Sequence, residues 1–300
     1  MIERILVPLD GSELAEGVLP YVVEIARRSQ AEVLLLTSIQ PVGVWDAAAT
    51  AINWEREEKL AQEYLDSKRE QLQASGLKVR DLLSHGEAAG AVLKAAEQED
   101  VDLIAISTHG RSGISRWLLG SVADRVLHDT RVPLLVIRPP KSEEQAPSPV
   151  FKKMLVPLDG SPVAESVLPF VEDLARLFGA SLVLFHAVAP VVAYPGFETV
   201  QPRFTGELLE EMQKQAQQFL SRVAKQVQGR GLEVSMVASI DLAVDGIISA
   251  AKEVGADLIA LGTHGRSGLG RMVMGSVADA VVRRTALPCL LINPAKVARK

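Results

Sequence analysis

Cysteine and aromatic residues are scarce in this chain of 300 residues, which has one cysteine and 4% aromatic residues. A single cysteine excludes any disulfide within the chain and fits a reducing compartment. That residue, Cys289, lies in the apolar run LPCLLIN, which predicts a small buried hydrophobic side chain rather than a nucleophile. Because aromatic residues are so few, the core must be aliphatic, and a hydrophobic content of 48% is ample for it.

Long apolar runs and an excess of positive charge are also missing. No stretch approaches the ~18 apolar residues that a membrane span needs. The amino terminus, MIERILVPLD, carries Glu3 and Arg4 and lacks the apolar core of a signal peptide. Lys and Arg number 32 against 37 Asp and Glu, and this net charge of -5 argues against nucleic acid or an anionic membrane as the main partner. We therefore expect a cytoplasmic protein with neither partner.

The chain repeats itself with a period of about 150 residues, which is the length of a domain. The stretch RILVPLDGSELAEGVLPYV at 4–22 returns as KMLVPLDGSPVAESVLPFV at 153–171, and VDLIAISTHGRSG at 101–113 returns as ADLIALGTHGRSG at 256–268. Between the copies lies PPKSEEQAPSPV, a composition typical of a linker. The repeat predicts tandem domains at 1–140 and 151–300, joined by a linker at 141–150.

Each half alternates short apolar runs with segments of helical periodicity. In the first half, the apolar runs predict five strands: Ile5–Leu9, Val33–Thr37, Val79–Leu83, Leu103–Ser107 and Leu134–Ile137. The segments between them predict four helices, the first kinked at Pro20: Ser12–Arg28, about Asn53–Ser75, Ala88–Glu99 and Ser121–Thr130. This alternation predicts an α/β fold with a doubly wound parallel sheet in each half, and such sheets bind ligands at the carboxyl ends of their strands.

A glycine motif directly follows the fourth strand of each half. The second copy, GTHGRSGLGRMVMGS at 262–276, has two glycines three residues apart and ends in a Gly-Ser pair that begins a helix. Glycine lets backbone N–H groups approach an anion closely, and the start of a helix favours phosphate. Arg266 and Arg271 add positive charge. The first copy, STHGRSGISRWLLGS, differs at its first position, where Ser107 replaces Gly262.

A purely structural interpretation of the Gly-Ser pair stays open. Ser276 is followed three residues later by Asp279, as Ser121 is by Asp124, and this spacing resembles a capping box that needs no ligand. A Walker A motif is absent, since no Gly-Lys-Ser/Thr follows the first strand of either half.

The glycine pattern after a DLI strand, combined with VPLDGS on the first strand, resembles the universal stress protein family over essentially the whole chain. The resemblance implies two Rossmann-like domains with strand order 3-2-1-4-5. It also implies ATP as the ligand, with or without Mg²⁺, because family members with this glycine pattern bind ATP. In the family, single domains dimerise through the fifth strand. The two fifth strands here are therefore expected to pair within the chain, while a homodimer and a protein partner stay open.

The resemblance also implies which residues contact the nucleotide. Asp10 and Asp159 match the aspartate near the ribose and phosphates, and Pro8 and Pro157 match a residue beside the adenine. Ser38 and Ala187 match the position whose backbone recognises the adenine edge. The phosphate loops are matched by Ser107, Gly110, Gly120 and Ser121 in the first half and by Gly262, Gly265, Gly275 and Ser276 in the second. Two departures stand out: Ser107 in place of glycine, and Ile240 at the position matched to Gly86.

Three functions remain open from the sequence. The first is an ATP-binding stress-response regulator that binds a partner, the second a slow ATPase or nucleotidyl transferase, and the third a scaffold that binds no nucleotide. No metal-ligand spacing or catalytic triad is present in the sequence. Hydrolysis would need a base for the attacking water, and the candidates are Asp10, Asp159, His109 and His264. We expect no fast chemistry.

Overall fold

The computed structural model describes residues 2–40, 47–108, 120–138, 148–189, 202–263 and 275–293. They form two compact units. The first runs to Val150 and includes the described residues from Ala286 onward, and the second runs from Phe151 to Thr285. The units thus follow the sequence repeat except at its end, where the last strand of the second repeat groups with the first unit.

Strands and helices alternate along the described chain. The strands are β1 (Arg4–Pro8), β2 (Glu32–Ile39), β3 (Lys78–His85), β4 (Leu103–Ser107), β5 (Leu134–Ile137), β6 (Lys153–Pro157), β7 (Ser181–Val188), β8 (Val234–Ile240), β9 (Leu258–Gly262) and β10 (Cys289–Ile292). The helices are α1 (Glu13–Glu16), α2 (Leu19–Ser29), α3 (Ala47–Ala74), α4 (Ala88–Gln98), α5 (Ser121–Asp129), α6 (Pro162–Glu165), α7 (Leu168–Phe178), α8 (Pro202–Gln228), α9 (Ala243–Val254) and α10 (Ser276–Arg284).

The sheet of the first unit has the strand order β3-β2-β1-β4-β5, and all of these neighbours pair in parallel. The predicted order 3-2-1-4-5 is confirmed. Beyond β5, strand β10 continues the sheet in the antiparallel direction, with Cys289 opposite Val136. The expected pairing of the two fifth strands is therefore present, and it gives the first unit a sixth strand.

The second unit repeats the same order as β9-β6-β7-β8, again with parallel neighbours. Its central strand β6 is fully buried at Met154, Leu155 and Val156, as β1 is at its own apolar residues. Strands buried on both faces in this way need continuous aliphatic runs, which is why the sequence pattern identified them. The core is mainly aliphatic, as the composition predicts, with Phe151 and Phe185 also fully buried in it.

The first predicted helix, Ser12–Arg28, proves to be two helices. Helix α1 ends at Glu16 and α2 begins at Leu19, so that Pro20 is the second residue of α2. Proline lacks the N–H that a helix interior requires but is tolerated in the first turn. The same break separates α6 from α7 before Pro169. The prediction of one helix kinked at Pro20 was therefore wrong, because the proline starts a new helix.

Cys289 is 1% exposed, and burial raises the pKa of its thiol to about 12. We expect a thiol reagent at pH 8 to label the folded protein about a thousandfold more slowly than the protein in denaturant, because the reactive thiolate is nearly absent. A time course of labelling with Ellman's reagent, with and without urea, measures this difference. Rapid labelling of the folded protein would contradict the packing of β10.

Among the described residues, no helix has both the length and the apolar character that are needed to cross a membrane.

Candidate functional site

A cavity of about 270 Å³ opens at the carboxyl ends of the strands in the first unit. Its walls come from the ends of β1, β2 and β4 and from the starts of α4 and α5. The lining residues are Pro8, Leu9, Asp10, Ala15, Leu36, Ser38, Ala88, Val92, Ile106, Ser107, Thr108, Gly120, Ser121, Val122 and Ala123. This is where ligands bind in doubly wound α/β sheets.

The second unit has a cavity of about 320 Å³ at the equivalent place. Its lining residues are Pro157, Leu158, Asp159, Ala164, Phe185, Ala187, Ala243, Ile247, Leu261, Gly262, Thr263, Gly275, Ser276, Val277 and Ala278. Each of these fifteen residues occupies the position that corresponds, in the sequence repeat, to a lining residue of the first cavity. The two cavities are therefore copies of one site that differ in a few side chains.

Gly120 and Gly275 stand immediately before α5 and α10, and both glycines are tied to the end of the preceding strand. The N–H of Gly120 donates to the carbonyl oxygen of Thr108 at 2.8 Å, and that of Gly275 donates to Thr263 at 2.7 Å. Neither glycine has a positive φ, the angles being −60° and −61°. A Cβ at Gly120 would lie 3.1 Å from the carbonyl oxygen of Thr108. At Gly120, glycine therefore favours a close approach to the carbonyl of Thr108 rather than an unusual backbone conformation.

The capping-box interpretation of these helix starts is wrong. The residue that precedes each helix is the glycine, whose carbonyl accepts the first helical hydrogen bond, from Asp124 N–H in α5 and from Asp279 N–H in α10. Ser276 is therefore already the first helical residue, and the Asp279 carboxylate pairs along the helix with Arg283 at 2.8 Å. Ser276, Val277 and Ala278, the residues of this first turn, line the cavity, and the N–H groups of a first turn have no partner within their own helix.

The carboxylates of Asp10 and Asp159 are held in place where β1 and β6 end. Oδ1 of Asp10 accepts from Ser12 N–H at 3.0 Å and from Ser12 Oγ at 2.6 Å. Asp159 makes the same two bonds to Ser161, at 2.9 and 2.6 Å. Each serine also caps the helix that follows, α1 or α6. Both repeats share the sequence DGS, in which the serine holds the carboxylate of the aspartate in one orientation. Asp10 and Asp159 each line their cavity.

The structure brings together all of the predicted site residues that it describes. Twelve of them line the two cavities: Pro8, Asp10, Ser38, Ser107, Gly120 and Ser121 in the first, and Pro157, Asp159, Ala187, Gly262, Gly275 and Ser276 in the second. Gly110 and Gly265 lie outside the described residues, as do His109, His264, Arg266 and Arg271.

Sequence analysis did not single out Thr108 and Thr263, which line the cavities and are 3% and 4% exposed. Their carbonyl groups hold Gly120 and Gly275 in place. A signal was available, because both motifs keep threonine directly after the first residue, which changes from Ser107 to Gly262.

The match of Ile240 to Gly86 was off by one residue. Gly86 N–H donates to the carbonyl of Ile39 at 2.9 Å, and the corresponding bond in the second unit, at 3.0 Å, comes from Asp241 N–H to Val188. Asp241 therefore takes the place of Gly86, and Ile240 takes that of His85. Ser38 Oγ donates to the carbonyl of Gly86 at 2.8 Å, a bond that Ala187 cannot make.

The model of the universal stress protein family matches this chain twice, over residues 1–138 and 151–293. The chain belongs to the universal stress protein family. A universal stress protein of Mycolicibacterium smegmatis is 25% identical to it over 301 residues, with 97% of each chain covered. One from Methanocaldococcus jannaschii is 30% identical over 151 residues, which cover 48% of this chain and 86% of that protein.

Other universal stress proteins are similar to this chain over only part of their length, or in fold at low sequence identity. One from Mycobacterium tuberculosis is 29% identical over 196 residues, and the match spans 62% of that relative's length. The crystal structure of a universal stress protein from Archaeoglobus fulgidus superimposes with a TM-score of 0.72 at 22% identity, covering 97% of this chain and 98% of that one. This similarity shows that the two proteins share their fold over 97% of the chain.

Proposed function

We propose that each unit binds one molecule of ATP, with or without Mg²⁺, and that the protein is a cytoplasmic, nucleotide-responsive regulator that binds a partner rather than a fast enzyme. The observation that carries the proposal is the duplicated cavity. In both copies, the glycine before a helix, the serine that begins the helix and an aspartate with a fixed carboxylate line the same cavity. Two copies of one arrangement argue for a shared ligand.

The chemistry of the cavity walls suits a nucleotide. At one side, the first turns of α5 and α10 offer N–H donors and the positive end of a helix dipole, which favour phosphate. At the other side, the walls are largely apolar, with Leu36 and Val92 in the first cavity and Phe185 and Ile247 in the second. Apolar walls with a few placed polar groups suit a base and a ribose. The fixed carboxylates of Asp10 and Asp159 can accept hydrogen bonds from ribose hydroxyls.

Calorimetric titration of the full chain with ATP and Mg²⁺ tests the proposal. We expect two binding events, the tighter in the cavity of Gly262 and the weaker in that of Ser107. A product assay on the same samples separates the alternatives. Many turnovers per minute would favour an ATPase or nucleotidyl transferase, and an absence of binding heat and of co-purified nucleotide would favour a scaffold.

Ser107→Gly is expected to tighten the weaker site about tenfold. Ser107 is 6% exposed at the end of β4, where its Cβ occupies space that Gly262 leaves open in the second cavity. A backbone hydrogen bond to a charged phosphate contributes roughly 1.5–3 kcal/mol, or about one decade or more of affinity. The reciprocal change, Gly262→Ser, should weaken the tighter site by a similar factor. Unchanged titration curves for both variants would contradict the ranking of the two sites.

A further inference from the structure

The outer strand of the second unit, β8, is apolar where the outer strand of the first unit is charged or polar. Met236, Ile240 and Leu242 are 47%, 41% and 59% exposed, and they lie on β8 or shortly after it. The residues at the corresponding positions of the first repeat are Asp81, His85 and Glu87. Exposed apolar residues that cluster on an edge strand favour pairing with another strand.

Charged side chains cover this edge in the first unit. The carboxylate of Asp81 in β3 pairs with Arg69 of α3, which also pairs with Asp66 at 2.8 Å. Nε2 of Gln62, in the same helix, donates to the Asp81 carboxylate at 2.9 Å. Natural sheets use charges on an edge strand to prevent it from pairing with another chain.

The second unit has uncharged residues at all three charged positions. Gln73 of α3 and Gln228 of α8 donate to the carbonyl groups of Val79 and Val234, and these matching bonds align the two helices. In this alignment, the places of Asp66, Arg69 and Asp81 are taken by Ser221, Ala224 and Met236. Because Arg69 contacts β3, its counterpart Ala224 and the neighbouring Ser221 lie on the side of α8 toward the edge of the sheet. This edge therefore lacks the charges that protect the first unit.

Alternate residues of β8 direct their backbone hydrogen-bonding groups away from β7. The carbonyl of Glu233 accepts from Leu182 N–H at 2.9 Å, and Asp241 N–H donates to Val188 at 3.0 Å. Odd-numbered residues thus face β7, and the direction alternates along a strand. The outward-facing residues are Met236, Ala238 and Ile240. In the described part of the chain, β8 pairs with β7 alone.

We propose that two copies of the chain associate through β8, antiparallel about a two-fold axis at Ala238. In this register, Met236 of each copy lies opposite Ile240 of the other, and the two Ala238 residues lie opposite each other. These are hydrogen-bonded pairs of an antiparallel ladder, in which the two residues exchange both N–H···O bonds. All three outward-facing residues then have backbone partners, and the exposed apolar side chains contact each other across the strands.

Helix α8 leaves room for this pairing. Phe219 of α8 packs against His186 of β7, with 5.7 Å between ring centroids, and His186 is paired with Ala238. Further along α8, Gln228 donates to Val234 at the start of β8, so α8 runs antiparallel to the strand. Helix α8 contacts both β7 and β8. Because neighbouring strands are about 4.8 Å apart, the α8 helices of the two copies would lie about 10 Å apart, a usual distance for packed helices.

The charges of α8 favour a second copy as the partner. Three carboxylates lie toward its start, those of Glu207, Glu210 and Glu211, whereas Lys225 lies in its last turn. Lys214 reduces the negative charge of the start but does not cancel it. Glu210 and Lys225 lie about three turns before and one turn after Ser221, and they share its side of the helix. Since the two-fold axis sets the helices antiparallel, the acidic start of each lies beside Lys225 of the other copy.

Sedimentation velocity of the full chain over a dilution series tests the proposal, and we expect an equilibrium between monomer and dimer. Met236→Asp restores the residue type of the first unit. It should raise the dissociation constant about a hundredfold, because the axis places the new carboxylate against an apolar residue twice. Met236→Leu should leave the constant within about threefold. Leu60→Asp is the matched control, since Leu60 is 50% exposed in α3 of the first unit, and it should have no effect.

A charge exchange in α8 tests the orientation of the two copies. Glu210→Lys and Lys225→Glu should each weaken the dimer about fivefold, and the double variant should restore it. A double variant as weak as either single variant would overturn the antiparallel arrangement. A parent that stays monomeric at every concentration, or a dimer that Met236→Asp leaves unchanged, would overturn the proposal. Circular dichroism of each variant confirms that it is folded.

Discussion

Gly275→Asp is expected to remove ATP binding from the second cavity, with a loss of affinity above a hundredfold. The new carboxylate would stand at the start of α10, beside the N–H groups of the first turn that would bind a phosphate in the proposed complex. Aspartate is itself a favoured residue before a helix, so its side chain would bind those N–H groups and repel the phosphate charge. Loss of two charged hydrogen bonds, each contributing roughly 1.5–3 kcal/mol, accounts for the factor. Because aspartate caps helices well, α10 should stay folded.

Two variants make this test specific. Gly275→Asn has the same side-chain shape without the charge, and we expect it to retain more affinity than Gly275→Asp. Gly120→Asp makes the equivalent change before α5 and should remove only the weaker binding event. If calorimetry found the tight event intact in Gly275→Asp but lost in Gly120→Asp, the ranking of the two cavities would be wrong.

Val136→Pro is expected to detach β10 from the first unit and to lower its free energy of unfolding by about 3 kcal/mol or more. Val136 is 2% exposed and lies between Ile106 of β4 and Cys289 of β10. Proline cannot donate to a strand ladder and fits poorly in the middle of a sheet. Hydrogen exchange measured by mass spectrometry should therefore show lost protection over residues 289–292.

Val136→Ala is the control for this prediction, since it removes two methyl groups from the same place and keeps the backbone N–H. It should lower stability through the cavity that it leaves, and β10 should remain protected. Equal protection of residues 289–292 in Val136→Pro and in the unchanged protein would show that β10 does not depend on β5.

The strands and the positions of the residues that line the two cavities could be predicted from the sequence because their causes are local. Apolar runs such as ILVP mark strands buried on both faces, and the Gly-Ser pairs mark helix starts. The break before Pro20 was missed because a proline early in a helix and one inside it look alike in sequence. The capping box was wrong because spacing alone does not show whether Ser276 or Gly275 precedes the helix.

Features that depend on distant residues could not be predicted in the same way. The pairing of β10 with β5 was expected from the family resemblance, but nothing in PCLLI itself indicates that β10 groups with the first unit rather than with its own repeat. The close packing of Gly246 in α9 against Phe185 of β7 and Ser239 of β8 likewise joins three elements, and its sequence signal was hidden by a one-residue shift in matching Gly86. Packing across elements, rather than propensity along the chain, determines both features.

The antiparallel pairing of β5 with β10 has a consequence for the order in which the chain can fold during synthesis. Five strands of the first unit leave the ribosome within the first 137 residues, but the sixth follows only when residues 289–292 emerge. Until then, the outer edge of β5, an aliphatic strand with every residue buried in the finished fold, stays exposed to neighbouring nascent chains. The second repeat is thus translated before the first unit has its sixth strand, β10. A chain that ends between the repeats would therefore keep the edge of β5 unpaired and prone to aggregation.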